Sequence, residues 1–201
     1  MSNFTGYNSK IITPLSNIQL SLYDKTLFLP GCTKVTQYIK LGNIIPTRGN
    51  LVAIIDNWAE SFKISFDITL SGNYTSTSWR NLFEVTSGTR YVAGATYPSV
   101  FISKDQLIVR NYIGTKYAFY DYGLKLETAK IYHIEIVQKK HLYFGITLCC
   151  IRSNSEVQHC WYIKESLVFP KVFVHLSGLH YHPFYEVIGT FANLKIINLT
   201  P

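Results

Sequence analysis

Alternation of apolar and polar residues with a period of two dominates the chain. The clearest instance is Phe62-Lys63-Ile64-Ser65-Phe66-Asp67-Ile68-Thr69-Leu70, where every even position is apolar and every odd one polar. A half-buried antiparallel strand requires that pattern, because successive side chains leave opposite faces of a sheet. Similar β-branched and aromatic runs predict strands at 51–55, 82–85, 99–102, 106–112, 131–137, 142–151, 157–163, 171–176 and 190–199. Between them stand turn formers, among them Ser71-Gly72-Asn73, Ser87-Gly88-Thr89, Ser103-Lys104-Asp105 and Asn154-Ser155. No stretch keeps a 3.6-residue period, and the best helical candidate, Leu124 to Lys130, is a turn or two long.

Many short strands without a repeat or a linker predict one all-β domain, a two-sheet antiparallel jelly-roll sandwich with very little helix. The domain is expected over 46–201. Residues 1–45, punctuated by Pro14, Pro30 and Pro46, read as an N-terminal extension or arm that supplies an edge strand at 35–39 or contacts another molecule.

The order of the strand signatures resembles that of concanavalin A-like (LamG/lectin-type) jelly-roll domains of extracellular and surface proteins. Gly49 to Trp58 followed by Phe62 to Ile68 is similar to the opening short strand, aromatic corner and long strand of that family. Trp79 to Thr86, Tyr97 to Ile102 with Gln106 to Val109, and Ile131 to Gln138 with the hairpin from Tyr143 to Val157 keep the order. Phe169 to Val174 and Phe191 to Ile196 resemble the closing strands. The resemblance spans about 49–198 and implies the fold. It implies no single activity, since the fold hosts lectins, adhesion modules, glucanases and viral attachment domains. Two departures narrow the field. The galectin set of His, Asn and Arg beside a stacking Trp is missing around Trp79 and Trp161. The glucanase pattern E-x-D-x-x-E, which would place two carboxylates on one strand face, is absent among the 12 acidic residues.

Composition then excludes further classes. With 47% hydrophobic and 15% charged residues the chain is too apolar to remain unfolded, yet no run is long enough for a membrane helix. The N-terminus carries no basic segment followed by an apolar one, so no signal peptide is visible. The net charge of +7 comes from few acids and not from basic clusters, Lys139-Lys140 being the one adjacent pair, which argues against nucleic acid; a solvated surface is the simplest reading, with anionic glycans, acidic proteins or anionic lipid headgroups as alternative partners. No phosphate loop, Ser/His/Asp order motif or Cys/His nucleophile pair is present, so no catalytic residue and no cofactor are expected.

The remaining chemistry is sparse. Among Cys32, Cys149, Cys150 and Cys160, folding the chain at Asn154-Ser155 sets Cys149 opposite Cys160, the candidate disulfide, and buried free thiols are the alternative. Sequons mark Asn3, Asn73 and Asn198 as candidate glycosylation sites. His175, His180, His182 and Glu186 make a histidine-rich stretch, and Asp56-Asn57 with Asp105 offer oxygens for Ca²⁺; loop histidines and turn-forming Asx residues are the simpler readings, and no metal site is assigned. Tyr117, Tyr120, Tyr122, Tyr181 and Tyr185 are the candidate partner-binding residues, because a tyrosine ring offers a flat apolar face and a hydroxyl. The chain thus reads as a non-enzymatic recognition or adhesion module at a cell or particle surface, binding glycans or protein ligands. The alternative is a structural subunit of a filament, coat or viral capsid that oligomerises through its arm.

Overall fold

The computed structural model describes residues 34–45, 47, 49–71, 77–88, 96–113, 118–141, 146–163, 168–178, 182–183 and 189–200. In chain order the strands are β1 (Lys34–Ile44), β2 (Asn50–Trp58), β3 (Ser61–Leu70), β4 (Arg80–Thr86), β5 (Thr96–Ser103), β6 (Gln106–Ile113), β7 (Ala118–Lys125), β8 (Ile131–His141), β9 (Ile146–Ser153), β10 (Glu156–Ile163), β11 (Phe169–Leu176), β12 (His182–Pro183) and β13 (Gly189–Thr200). A six-stranded sheet runs β1-β13-β3-β8-β9-β10. A seven-stranded sheet runs β2-β11-β4-β5-β6-β7, with the short β12 beside β4. The two pack face to face as an antiparallel jelly-roll sandwich, and no helix occurs among the described residues.

Alternation decides what lies between the sheets. On β3, Phe62, Ile64, Phe66, Ile68 and Leu70 are all buried and point inward, while Lys63 and Asp67 stay on the outer face. Phe66 meets Phe83 of β4 edge-on at 5.4 Å and Phe191 of β13 at 5.3 Å, so aromatic rings join the two sheets at mid-core. Trp58, at the end of β2, packs on Phe62 at 4.8 Å and closes one end.

The segment expected as helix, Leu124 to Lys130, is not one. β7 continues to Lys125, Thr128 bridges Leu70, and the Ala129 amide donates to the Leu70 carbonyl at 2.6 Å. Pairing to neighbouring strands supplies the hydrogen bonds that an isolated turn of helix would lack. The edge strand expected at 35–39 is longer, spanning all of β1, and pairs with the chain's own β13.

The predicted pairing of Cys149 with Cys160 is corrected: the disulfide joins Cys150 to Cys160, and Cys149 is a buried thiol outside that bond. The hairpin turns at Asn154-Ser155 as expected, but a bulge between Val157 and His159 adds one residue to β10. That slip moves Cys160 from Cys149 to Cys150, onto the outer face, and a one-residue slip necessarily exchanges faces.

Asn198 is also corrected as a glycosylation candidate. Its side chain is fully buried, its Oδ1 accepts from the Ala59 amide at 2.8 Å and its Nδ2 donates to the Asn57 carbonyl at 3.0 Å. Asn3 and Asn73 lie outside the described residues. Asn198→Ala leaves two backbone groups at the β2–β3 corner without partners, and it is expected to cost about 2–4 kcal/mol in a urea titration, each buried orphan being worth about 1–3 kcal/mol.

Candidate recognition site

The outer faces of the two sheets differ in kind. On the six-stranded sheet the charges satisfy one another. The Asp67 carboxylate meets His133 Nδ1 at 2.7 Å and accepts from Asn193 Nδ2 at 2.6 Å. Glu135 lies 3.7 Å from His133 Nε2 and 2.5 Å from Lys63 Nζ. Asn193 Oδ1 also accepts from the Gly42 amide at 2.9 Å, where β1 bulges. This lattice ties β1, β13, β3 and β8 together and commits both carboxylates to partners.

On the seven-stranded sheet, the positions that alternate with the core residues Val174, Val85, Val100 and Val109 form one transverse row. His175 of β11 stands opposite Glu84 of β4, Glu84 opposite Ser99 of β5, Ser99 opposite Arg110 of β6, and Arg110 opposite Asp121 of β7. Glu84, Ser99 and His175 are buried although they point away from the core. Part of the cover is the chain leaving β11. Ser177, at φ 50°, donates from its amide to the Leu82 carbonyl at 3.0 Å and from its hydroxyl to the Asn81 carbonyl at 3.1 Å. Gly178 donates to Asn81 Oδ1 at 2.6 Å, and a methyl group at position 178 would have to displace the Glu84 carboxylate.

At the margin of this row the side chains come partly into solvent. The Arg110 guanidinium lies over the Trp79 indole, 4.2 Å from the ring centroid, and 5.9 Å from the centroid of Phe101. Trp79 and Phe101 pack at 5.3 Å, with Phe101 fully buried beneath, while Trp79, Arg80 and Arg110 are half-buried and Thr77 and Ser78 are exposed. A guanidinium over an indole face puts a positive charge on apolar surface at this margin. The row offers no nucleophile of the serine type. Glu84 stands between Ser99 and His175, which separates hydroxyl from imidazole by two strand spacings, about 10 Å.

No family model matches the chain, and no curated protein matches it. Solved structures do. The receptor-binding domain of botulinum neurotoxin D superposes with a TM-score of 0.55 at 11% identity, over 83% of this chain and 45% of that one. The binding domain of serotype D in complex with N-acetylneuraminic acid gives 0.53 at 11% identity, over 83% and 43%. The serotype G binding domain gives 0.51 at 11% identity, over 83% and 38%. The chain spans less than half the length of these domains, and at this identity the likeness is one of fold.

Of the residues singled out in the sequence, Tyr120 and Tyr122 lie on β7, opposite Asn111 and Val109. Tyr117, Tyr181 and Tyr185 lie outside the described residues, as do His180 and Glu186. Asp56, on β2, faces Lys171 at 3.9 Å and Asp105, in the β5–β6 turn, faces Lys125 at 3.6 Å, and among the described residues no three His, Cys, Asp or Glu side chains gather as a metal would need. The sequence reading missed Arg110 as a neighbour of Trp79. A signal for it was present: folding the β5–β6 hairpin at Lys104-Asp105 sets Arg110 opposite Ser99, beside Phe101.

One pair elsewhere titrates abnormally. The ammonium of Lys130, hydrogen-bonded to Glu127 at 3.0 Å, lowers that carboxyl below its ordinary value, and Glu127 in turn raises Lys130. Both groups are on the surface, away from the row.

Proposed function

We propose that this chain is a non-enzymatic recognition module of the concanavalin A-like type, acting at a cell or particle surface, and that it binds acidic glycans through Trp79 and Arg110. The observation that carries the reading is the guanidinium of Arg110 stacked on a half-buried indole at the margin of a buried polar row. The guanidinium supplies a positive charge for the acid group of a sugar, and the part-exposed indole supplies apolar surface beside it. The net charge of +7 and the scarcity of acids support attraction of such ligands. The fold of receptor-binding domains, one of them solved with N-acetylneuraminic acid, supports a binding role. The Cys150–Cys160 bond supports an oxidising, extracellular setting.

Binding to an array of sialylated, uronylated, sulfated and neutral glycans tests this. The wild type is expected to prefer acidic members. Arg110→Ala and Trp79→Ala are each expected to weaken that binding about five- to thirtyfold, the loss of contacts of about 1–2 kcal/mol. Arg110→Lys is expected to lose most of it too, because an ammonium lacks the planar fork. A preference for neutral glycans, or acidic binding untouched by all three substitutions, sinks the assignment.

A further inference from the structure

We infer that the core encloses a hydration site at its β8–β9–β10 end, holding an ordered internal water between Gln138, Thr147 and Trp161. Gln138, Cys149 and Trp161 form one cross-strand row, Gln138 opposite Cys149 and Cys149 opposite Trp161. They share the inward face with Ile136 and Ile151, and Thr147 lies on the same face two residues before Cys149. Gln138 and Thr147 are 1% exposed and Trp161 is 8% exposed.

Among the described residues, three polar atoms in this patch have no hydrogen-bond partner: Gln138 Oε1, Thr147 Oγ1 and Trp161 Nε1. The glutamine amide cannot be turned to remedy this, because its Nε2 donates to the Glu60 carbonyl at 3.0 Å, and a carbonyl accepts only a donor. Its oxygen is therefore committed to the other side. Gln138 and Trp161 stand two strands apart, about 10 Å between backbones, with Cys149 between them.

The set is one acceptor, one N–H donor and one hydroxyl that does both, with no charge in the row. That complement suits a small neutral molecule with two donors and two acceptors, and an enclosed site of this kind is ordinarily held by water. Its structural consequence is a link from β8 to the edge strand β10 on the inner face, while the Cys150–Cys160 bond ties β9 to β10 on the outer one. The bulge after Val157 makes both possible, since it turns Cys160 out and Trp161 in.

The test uses the uniformly ¹⁵N-labelled full chain. The three indole N–H signals, from Trp58, Trp79 and Trp161, are assigned with Trp161→Phe, and each is examined for laboratory-frame and rotating-frame Overhauser transfer from water. The Trp161 indole is expected to show a water cross-peak of opposite sign in the two experiments, the mark of a water that stays longer than the protein takes to tumble. Gln138→Met, similar in volume but without the acceptor, is expected to weaken that cross-peak severalfold while the Trp161 signal remains dispersed. No water transfer to the Trp161 indole in the wild type, transfer of the same sign in both experiments, or an unchanged cross-peak in folded Gln138→Met each overturns the assignment. The wild-type measurement decides the matter even if the variant does not fold.

Discussion

Phe66→Ala is expected to cost about 3–5 kcal/mol, a large part of the 5–15 kcal/mol that holds a domain of this kind folded. Phe66 is fully buried on β3 and is the ring through which the six-stranded sheet meets Phe83 of the seven-stranded one. It also touches Phe191, which itself stacks on Phe83 at 6.2 Å, so truncation opens a cavity among three aromatic side chains. Their edge-on and tilted contacts contribute beyond the buried area. Phe66→Leu, which keeps most of the volume, is expected to cost only about 1–2 kcal/mol. Urea titrations of the three proteins measure both differences. A loss below about 1 kcal/mol for the alanine variant would mean that the sheets do not meet at this ring.

Removing residues 1–45 is expected to destabilise the domain by at least about 3 kcal/mol more than removing 1–33 does. The difference is β1. It hydrogen-bonds to β13 along its length, buries Ile44 in the core and lays the half-buried Tyr38 against it, where burial pushes the phenol above its ordinary pKa. Burying an isoleucine is worth about 1.5–3 kcal/mol, and the aromatic contact and strand ladder add to that. The same pair of truncations weighs the structural-subunit reading, which the exposed Leu41 and Ile45 at the end of β1 favour. Sedimentation of the full chain as a monomer would speak for the recognition module. Regular assemblies that vanish on removal of 1–33, with the remaining domain folded, would establish a subunit that polymerises through its arm. Equal stability of 34–201 and 46–201 would show that β1 contributes nothing to the fold.

The strands that could be read in advance are those whose alternation is sharp. Phe62 to Leu70 was legible because one face of β3 is sealed in the core and the other carries Lys63 and Asp67. Gln106 to Tyr112 and Lys171 to Leu176 were legible as β-branched and aromatic runs bounded by turn formers. β7 was not: its aromatic residues suggested a binding surface and its last residues a helical turn, while pairing with β6 along eight positions makes it a strand. The candidate site was less legible still. Trp79 and His175 were noted in sequence for other reasons and Ser99 and Glu84 not at all, and it is the sheet order that aligns Ser99, Glu84 and His175 with Arg110 in one row.

Sequence by itself determined the all-β class, most strand positions and the hairpin turns, because alternation and turn chemistry act between near neighbours along the chain. It also carried the basic balance and the lack of the E-x-D-x-x-E pattern. Only the tertiary structure decided which cysteine meets Cys160, why Asn198 is closed to modification, and that Arg110 lies on Trp79. Each of these depends on register and on the order of strands in a sheet. A single inserted residue in β10 exchanges one cysteine for its neighbour, and residues far apart in the chain become partners only when β11, β4, β5 and β6 lie side by side.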